Sequence, residues 1–178
     1  MLRTLHKLIG NQGGTALIEF ALILPIMTTL FLGVFEVTRV VDADMRLANA
    51  AQVMADLVAQ QSTAVSDTST SMTDFCNGSK DAMYPLSGSS LKVAVSSVTH
   101  GSSSTAQDWS DVTCGSATAI SNPTTLAASL VPNVNDSVII VQATYAYTSP
   151  ISYVLQASYT LTQTAFARPR NVTTVTHS

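Results

Sequence analysis

The stretch TALIEFALILPIMTTLFLGVF, which occupies residues 15–35, decides the fold of this chain. It contains one charged side chain, that of Glu19, and as an α-helix it would extend for about 32 Å. The hydrocarbon core of a bilayer is roughly 30 Å thick. A helix from the core of a soluble protein usually has a polar face, whereas this stretch is apolar on all sides. We therefore predict that residues 15–35 form a membrane-spanning helix.

The charges on either side of the span predict its orientation. Residues 1–14 contain Arg3, His6 and Lys7 and no acidic residue. By the positive-inside rule, we expect the amino terminus in the cytoplasm and the rest of the chain on the opposite side of the membrane. The first acidic residues beyond the span are Glu36, Asp42 and Asp44.

A cleaved secretory signal is the alternative interpretation of the same stretch. Such a signal has an apolar region of about 7 to 15 residues and a small-residue cleavage site directly after it. The candidate site Ala48-Asn49-Ala50 lies well beyond Phe35, and several charged residues separate the two. We therefore expect the span to be retained.

The composition is typical of a protein of the cell envelope rather than of the cytosol. Hydrophobic residues make up 46% of the chain and charged residues 11%, whereas ordinary soluble domains contain roughly 25% charged residues. Serine and threonine supply most of the polarity. The net charge of -3 lacks the basic excess that a phosphate-binding surface needs, so no nucleic-acid partner is expected.

The sequence predicts no catalytic, metal-binding or cofactor-binding residues, and an exported enzyme is the least favoured class. The histidines stand far apart, at positions 6, 100 and 177. Ser89-Ser90-Leu91-Lys92 matches the Ser-x-x-Lys pattern of penicillin-interacting enzymes, but the companion motifs of those enzymes are missing. Asp42-Ala43-Asp44 lacks the glycine and the terminal glutamate of a calcium loop.

The residues around the start of the span resemble a known processing site. Gly13-Gly14-Thr15-Ala16-Leu17-Ile18-Glu19-Phe20, preceded by a basic leader, is similar to the cleavage site of type IV prepilins. The continuation through Leu24-Pro25 resembles the TadE-like proteins, which are pseudopilins of the tight-adherence (Flp pilus) system. Ala167-Arg168-Pro169-Arg170 is similar to the carboxy-terminal ending of that family.

This resemblance implies partners and a location. A membrane-embedded prepilin peptidase is expected to cut between Gly14 and Thr15, and other pilins with the tight-adherence assembly machinery are expected as binding partners. The bacterial inner membrane would hold the span, with the head in the periplasm or on an extracellular pilus. Independently of the family, a glycine pair is a flexible segment that a protease can hold extended. An ordinary juxtamembrane linker is the alternative interpretation of Gly13 and Gly14.

Glu19 is the most informative single residue of the span, because an acidic side chain inside a membrane is costly. Cleavage would give Thr15 an α-amino group, ordinarily protonated at neutral pH, one helical turn from Glu19. At 4 Å and an effective dielectric constant of 20, the two charges attract by about 4 kcal/mol. Within one helix the pair makes Glu19 tolerable, and between two helices it sets their axial register. The resemblance favours the second arrangement.

Phe20 and Pro25 complete the set of residues expected to act in assembly. Phe20 follows Glu19 in the family-like motif. Pro25 removes a backbone hydrogen bond inside the span and is expected to bend or loosen it. Prolines are also simply more common in membrane helices than in soluble ones, so the bend carries no function on the alternative view.

Beyond the span, the sequence predicts that the helix continues to about Gln61 as an amphipathic helix of residues 36–61. A sheet of the same chain is the expected partner of its apolar stripe, and a coiled coil is the rival. Residues 62–74 are rich in hydroxyl side chains and are predicted to be a loop. The residues that form the predicted stripe are Val37, Val40, Val41, Leu47, Ala48, Ala51, Met54, Ala55 and Val58.

Residues 62–178 are predicted to form an exported head with an antiparallel sheet. Strands are expected at Leu91–Val95, Ser137–Tyr147 and Ile151–Phe166, with an additional edge strand at Trp109–Cys114. Thr148-Ser149-Pro150 is expected to join two of these strands as a tight hairpin connection. The tyrosines of these strands are expected in the core or in cross-strand pairs. They are Tyr145, Tyr147, Tyr153 and Tyr159.

Cys76 and Cys114 are the two cysteines of the chain. Export to an oxidising compartment favours a disulfide between them, and two buried thiols are the alternative. Two sulfurs without a neighbouring histidine do not predict a metal site.

Together these features predict an α+β protein in which a long amino-terminal helix packs on a small antiparallel sheet. Its parts are a leader at 1–14, a span at 15–35, an amphipathic helix at 36–61 and a head at 62–178. The favoured function is that of a pseudopilin that is cut after Gly14 and joins or primes a tight-adherence pilus. The alternative is an uncleaved, single-pass scaffold or binding protein of the periplasm.

Overall fold

A computed structural model describes residues 13–62, 64–65, 70–151 and 158–178. These residues fall into two compact units. The first consists of residues 13–39 and 149–151, and the second of the described residues in Val40–Thr148 and Ser158–Ser178. The predictions for Arg3, His6, Lys7 and Tyr153, and the part of the predicted strand at residues 152–157, lie outside the described residues.

A single helix of 47 residues, α1, extends from Gly13 to Ala59. The helix continues through Pro25, because apolar membrane-type helices tolerate an internal proline. No proline follows Pro25 before Ala59, so the helical pattern meets no further strong breaker.

The second unit contains four antiparallel strands in the order β2-β1-β3-β4. Their bounds are β1 Leu91–His100, β2 Thr105–Cys114, β3 Ser137–Thr148 and β4 Ser158–Ala167. β1 and β3, in the middle, bury nearly every residue of their central parts. β2 and β4 form the edges. Exposed positions alternate with covered ones along most of β4, whereas β2 exposes Ala106, Gln107 and Asp108 in succession.

One face of the sheet packs against the second half of α1, which confirms the predicted α+β fold class. Leu47, Met54 and Val58 are fully buried in this layer together with Val93 and Val141 of the sheet. The seam differs in part from the predicted stripe, since Ala43 and Ala50 are buried while Val37, Val41 and Ala48 are exposed. Alanine side chains are small and let the helix approach the sheet closely. Hydrophobicity alone does not predict which alanines are buried in this way.

The other face of the sheet is covered by the segment between β2 and β3. This segment includes a short helix, α3 (Pro123–Ala127), and contributes Ile120 and Val131 to a second apolar cluster. The sequence analysis did not predict this layer. The strand residues of the cluster are Ala94, Val98, Val138 and Ile140.

Two local predictions are wrong. Part of the predicted loop 62–74 is helical, because α2 occupies Thr70–Asp81. Met72 and Cys76 turn one side of that helix into the core, a pattern too short to be read from a hydroxyl-rich sequence. The connection between β3 and β4 is also not a tight turn at Ser149 and Pro150, since the register pairs Thr148 with Ser158 and leaves residues 149–157 between the strands.

A disulfide joins Cys76 of α2 to Cys114 at the end of β2, as predicted. The two Cα atoms are 5.6 Å apart and both residues are buried. The bond therefore ties α2 to the β2 edge of the sheet.

The carboxy-terminal segment after β4 ties together the end of α1 and the β2 edge. The backbone N–H of Arg170 donates to the carbonyl of Ala59 at 3.0 Å, and the side chain of Asn171 donates to the carbonyl of Gln60. Further along, Nε1 of Trp109 donates to the carbonyl of Val175 at 2.7 Å. The last carbonyls of a helix have no intrahelical donor, so this segment acts as the carboxy-terminal cap of α1.

We predict that replacing both Cys76 and Cys114 with serine lowers the free energy of unfolding by about 4 kcal/mol, because the loop between them is then unconstrained in the unfolded chain. The measurement is denaturant unfolding of the full chain in detergent micelles, followed by Trp109 fluorescence. Reduced wild-type protein is the matched control and should lose the same amount. Equal stability of the oxidised wild type and the double variant would contradict this role of the bond.

The buried phenol of Tyr145 predicts a loss of stability at alkaline pH. Burial raises the pKa of Tyr145 above its ordinary value of 10.0, and the neighbouring Tyr147 raises it further. The unfolded chain therefore ionises this phenol first, and its contribution to stability is complete below about pH 10 and is lost as the pH rises further. In Tyr145→Phe, the free energy of unfolding should fall less steeply above pH 10 than in the wild type. Parallel curves for the two proteins would refute the assignment.

Candidate functional site

The first half of α1 presents apolar side chains on every side. Every residue from Gly14 to Phe31 is exposed. The most apolar window of the helix has a mean hydropathy of 2.2, and none of it is buried within the chain. By length and composition this helix could cross a membrane. Its large exposed side chains are Leu17, Ile18, Phe20, Leu22, Ile23, Leu24, Ile26, Met27, Leu30, Phe31 and Val34.

Glu19 lies inside this apolar surface, and its side chain is exposed. It has no hydrogen bond or ion pair with the part of the chain that the structure describes. Thr15 stands four residues before it, about 6 Å along the helix axis and on nearly the same side. The predicted partners Glu19 and Thr15 are therefore placed as neighbours by the backbone alone.

Phe20 is also exposed, with 64% of its surface accessible. It follows Glu19 by one residue, so its side chain leaves the helix about 100° round the axis from the carboxylate. The two residues therefore present a large ring and a charge to different sides of α1.

Pro25 and the threonines after it loosen the hydrogen bonding of the same stretch. Pro25 cannot donate to the carbonyl four residues before it. The hydroxyl of Thr28 donates to the carbonyl of Leu24, and that of Thr29 to the carbonyl of Pro25, each at 2.8 Å. Side chains that bond the preceding turn in this way often bend helices slightly. The middle of the apolar stretch thus lacks one backbone hydrogen bond, and its threonine hydroxyls are hydrogen-bonded within the helix.

Gly14 is not required by packing. A Cβ atom placed on it would meet nothing within 4 Å in the described structure. Gly14 also lies inside α1, where glycine is a poorer choice than alanine by about 1 kcal/mol. Neither sterics nor helix stability accounts for glycine at this position.

The far end of the apolar stretch is marked by a buried acid that the sequence analysis treated only as the first charge beyond the span. Glu36 is 1% exposed and takes part in a polar interaction. One turn further on, the guanidinium of Arg39 lies 5.5 Å from the centre of the Phe35 ring. Long basic side chains near the ends of membrane helices commonly extend to the membrane–water interface.

The head contains a polar cluster that the sequence did not reveal. The ring of His177 stacks on that of Trp109 at 4.9 Å, and its Nε2 lies 3.5 Å from Oδ2 of buried Asp111. The other oxygen of Asp111 accepts from the backbone N–H and the hydroxyl of Thr113, each at 2.9 Å. The cluster fastens the carboxy-terminal segment to β2, which is a structural role.

The described residues contain no group of three or more side chains that could hold a metal ion. Ser89, from the Ser-x-x-Lys match, lies in a 3-10 turn and shares a hydrogen bond of 2.8 Å with the hydroxyl of Ser87. Nothing in this arrangement points to a nucleophile.

Comparison with known proteins identifies the amino-terminal part of the chain. Residues 14–56 match the model of the family of TadE-like proteins, which is about a quarter of the chain. No curated protein and no solved structure matches. The matched range begins at Gly14, includes the whole apolar stretch and ends within the part of α1 that packs on the sheet, so the resemblance drawn from the sequence is confirmed.

Replacement of Pro25 by alanine should stiffen the apolar half of α1, because the carbonyl of Ala21 regains a backbone donor. We expect amide hydrogen exchange at residues 22–29 to slow about tenfold or more in micelles. Thr29→Val, which removes a side-chain bond but keeps the proline, is the matched control and should leave exchange within about threefold of the wild type. Unchanged exchange in Pro25→Ala would show that the proline does not weaken the helix.

Proposed function

We propose that this chain, whose residues 14–56 match the model of the TadE-like proteins, is a pseudopilin of the tight-adherence pilus system that is cut between Gly14 and Thr15. The mature helix first crosses the inner membrane, with the head in the periplasm. It then packs beside the helices of other pilins during assembly of a pilus used for surface attachment. The prepilin peptidase and the tight-adherence assembly machinery are the partners at these two steps.

The observation that carries this proposal is the exposed apolar half of α1. Eleven large apolar side chains from Leu17 to Val34 are exposed in the described chain. At roughly 25 cal/mol per Å² of apolar surface, leaving such a surface in water is very unfavourable. A bilayer covers it before assembly and neighbouring helices cover it afterwards, so one surface serves both states.

Processing after Gly14 is supported by the position of the glycine. It stands where packing does not require it, immediately before the apolar stretch. A residue without a side chain lets the backbone adopt the extended form that a peptidase needs. The cut also creates the amino group of Thr15, the one positive charge that the backbone would place beside Glu19.

The pair formed by Glu19 of one helix and the Thr15 amino group of another supplies register. Apolar helices slide past one another at little cost, because every axial position buries a similar surface. A carboxylate that must meet an ammonium removes this freedom, since an unpaired charge in an apolar environment costs several kcal/mol. Phe20 lies beside the pair, and the loosened turn at Pro25 allows the helix to bend as it leaves the bilayer.

Glu19→Ala should leave processing intact and reduce the yield of assembled pili at least about a hundredfold, because the helices lose their charged register. Removal of the leader is monitored by the mass of the protein. Assembly is measured as the amount of pilus material that can be sheared from the cell surface. Glu36→Gln, at the other glutamate of the same helix, is the control for loss of a carboxylate as such and should still assemble. A normal yield of pili from Glu19→Ala would refute the proposed mechanism.

A further inference from the structure

The head half of α1 exposes a second apolar row. Val41 is 50% and Met45 60% exposed, and Ala48 is exposed as well. Spacings of four and three residues place these side chains on one side of the helix. The residues that face the sheet, among them Leu47 and Met54, are fully buried. The exposed row lies beyond the apolar stretch of residues 15–35, so lipid is not its natural cover.

Asp44 stands at the border between this row and the sheet, and it is the carboxylate of the region that lacks a cation. Both of its oxygens accept from Nε2 of Gln163 at 2.9 Å. Its neighbours along α1 are paired, Asp42 with Arg46 at 3.0 Å and Asp56 with Arg170 at 3.2 Å. Among the residues that the structure describes, Asp44 has a neutral partner only.

The hydrogen bonds from Gln163 place β4 beside the exposed row. β4 is an edge strand whose ten residues keep an unbroken register with β3 and carry no charge. The opposite edge, β2, has two irregularities in its register and contains Asp108 and Asp111. In natural sheets, bulges and charged residues on the edge strands usually prevent pairing with strands of other molecules. β4 has neither. We name Val41, Asp44, Met45, Ala48 and β4 together the flank.

We propose that the flank receives the processed amino terminus of a second copy of this chain. The inference rests on the proposed function, because cleavage creates the Thr15 amino group that it requires. The flank offers one uncompensated negative charge in apolar, uncharged surroundings. The mature terminus offers one positive charge followed by exposed Leu17 and Ile18. Charge and apolar surface are therefore complementary on the same two patches.

The contact forms between copies and only after the helix has left the bilayer. Asp44 lies 29 residues beyond Thr15 along α1 (44 minus 15), so the pair cannot form within one helix. In the membrane, the predicted orientation keeps Thr15 on the cytoplasmic side and Asp44 outside. An ammonium group has three donors, so the Thr15 amine can donate to a Glu19 carboxylate and to Asp44 of the neighbour together.

The first test is Asp44→Asn, which keeps an acceptor for Gln163 and removes the charge. Processing and the amount of protein in the membrane should be unchanged, whereas the yield of assembled pili should fall about tenfold or more. Asp44→Glu should restore at least part of the yield. Asp42→Asn is the matched control on the same helix and should stay within about twofold of the wild type, because an exposed ion pair contributes little.

The second test is disulfide cross-linking between two co-expressed variants, Leu17→Cys and Ala48→Cys. The native cysteines are paired with each other and do not compete. A linked dimer is expected in the assembled fraction and not in the membrane fraction. Asn49→Cys is the control partner, since it is exposed but lies 100° round the helix from Ala48, and it should cross-link at least about fivefold less.

The outcomes separate this inference from the function on which it rests. Normal assembly of Asp44→Asn overturns the inference and leaves the proposed function standing. The absence of a cross-link between Leu17→Cys and Ala48→Cys in assembled pili has the same consequence. A cross-link to a different protein overturns it as well. Retention of the leader on the wild-type protein refutes the proposed function and the inference together. Loss of yield in Asp44→Asn with a cross-link confined to the assembled fraction supports the inference.

Discussion

An apolar helix that carries one carboxylate is the constraint on which the rest of this molecule depends. Its surface must be covered at all times, by lipid or by other helices, and Glu19 must meet a positive charge wherever it is buried. Removal of a leader between Gly14 and Thr15 would supply that charge one helical turn away. Hydrophobic burial would then provide cohesion between subunits, and pairing of this charge with Glu19 of a neighbouring helix would provide direction and register.

The same helix continues into the head, where it has a different task. From Ala43 to Val58 one side of α1 is part of the core of the head, and the sheet, α2 and the disulfide hold it there. The carboxy-terminal segment closes this arrangement by capping the end of α1 and crossing to β2 through Trp109. The head is therefore built around the second half of α1.

Much of this architecture could be predicted, and the parts that could not have physical reasons. The apolar stretch and Glu19 are legible in the sequence itself, and the two cysteines of a chain that is expected to be exported leave one pairing. The residues lining the α1–sheet seam were partly misassigned, because Ala43 and Ala50 owe their burial to close approach and not to hydrophobicity. α2 was missed because its helical side shows few apolar residues within a hydroxyl-rich sequence. The neutral partner of Asp44 was beyond prediction, since Gln163 lies 119 residues away.

The central claim is that the helix becomes an assembly element only when a new amino terminus stands beside Glu19. The most direct measurement is the intact mass of the protein recovered from sheared surface fibres, together with sequencing of its first residues. The account predicts a chain that begins at Thr15 and lacks residues 1–14. A protein that still begins with its leader, at Met1, would contradict the account.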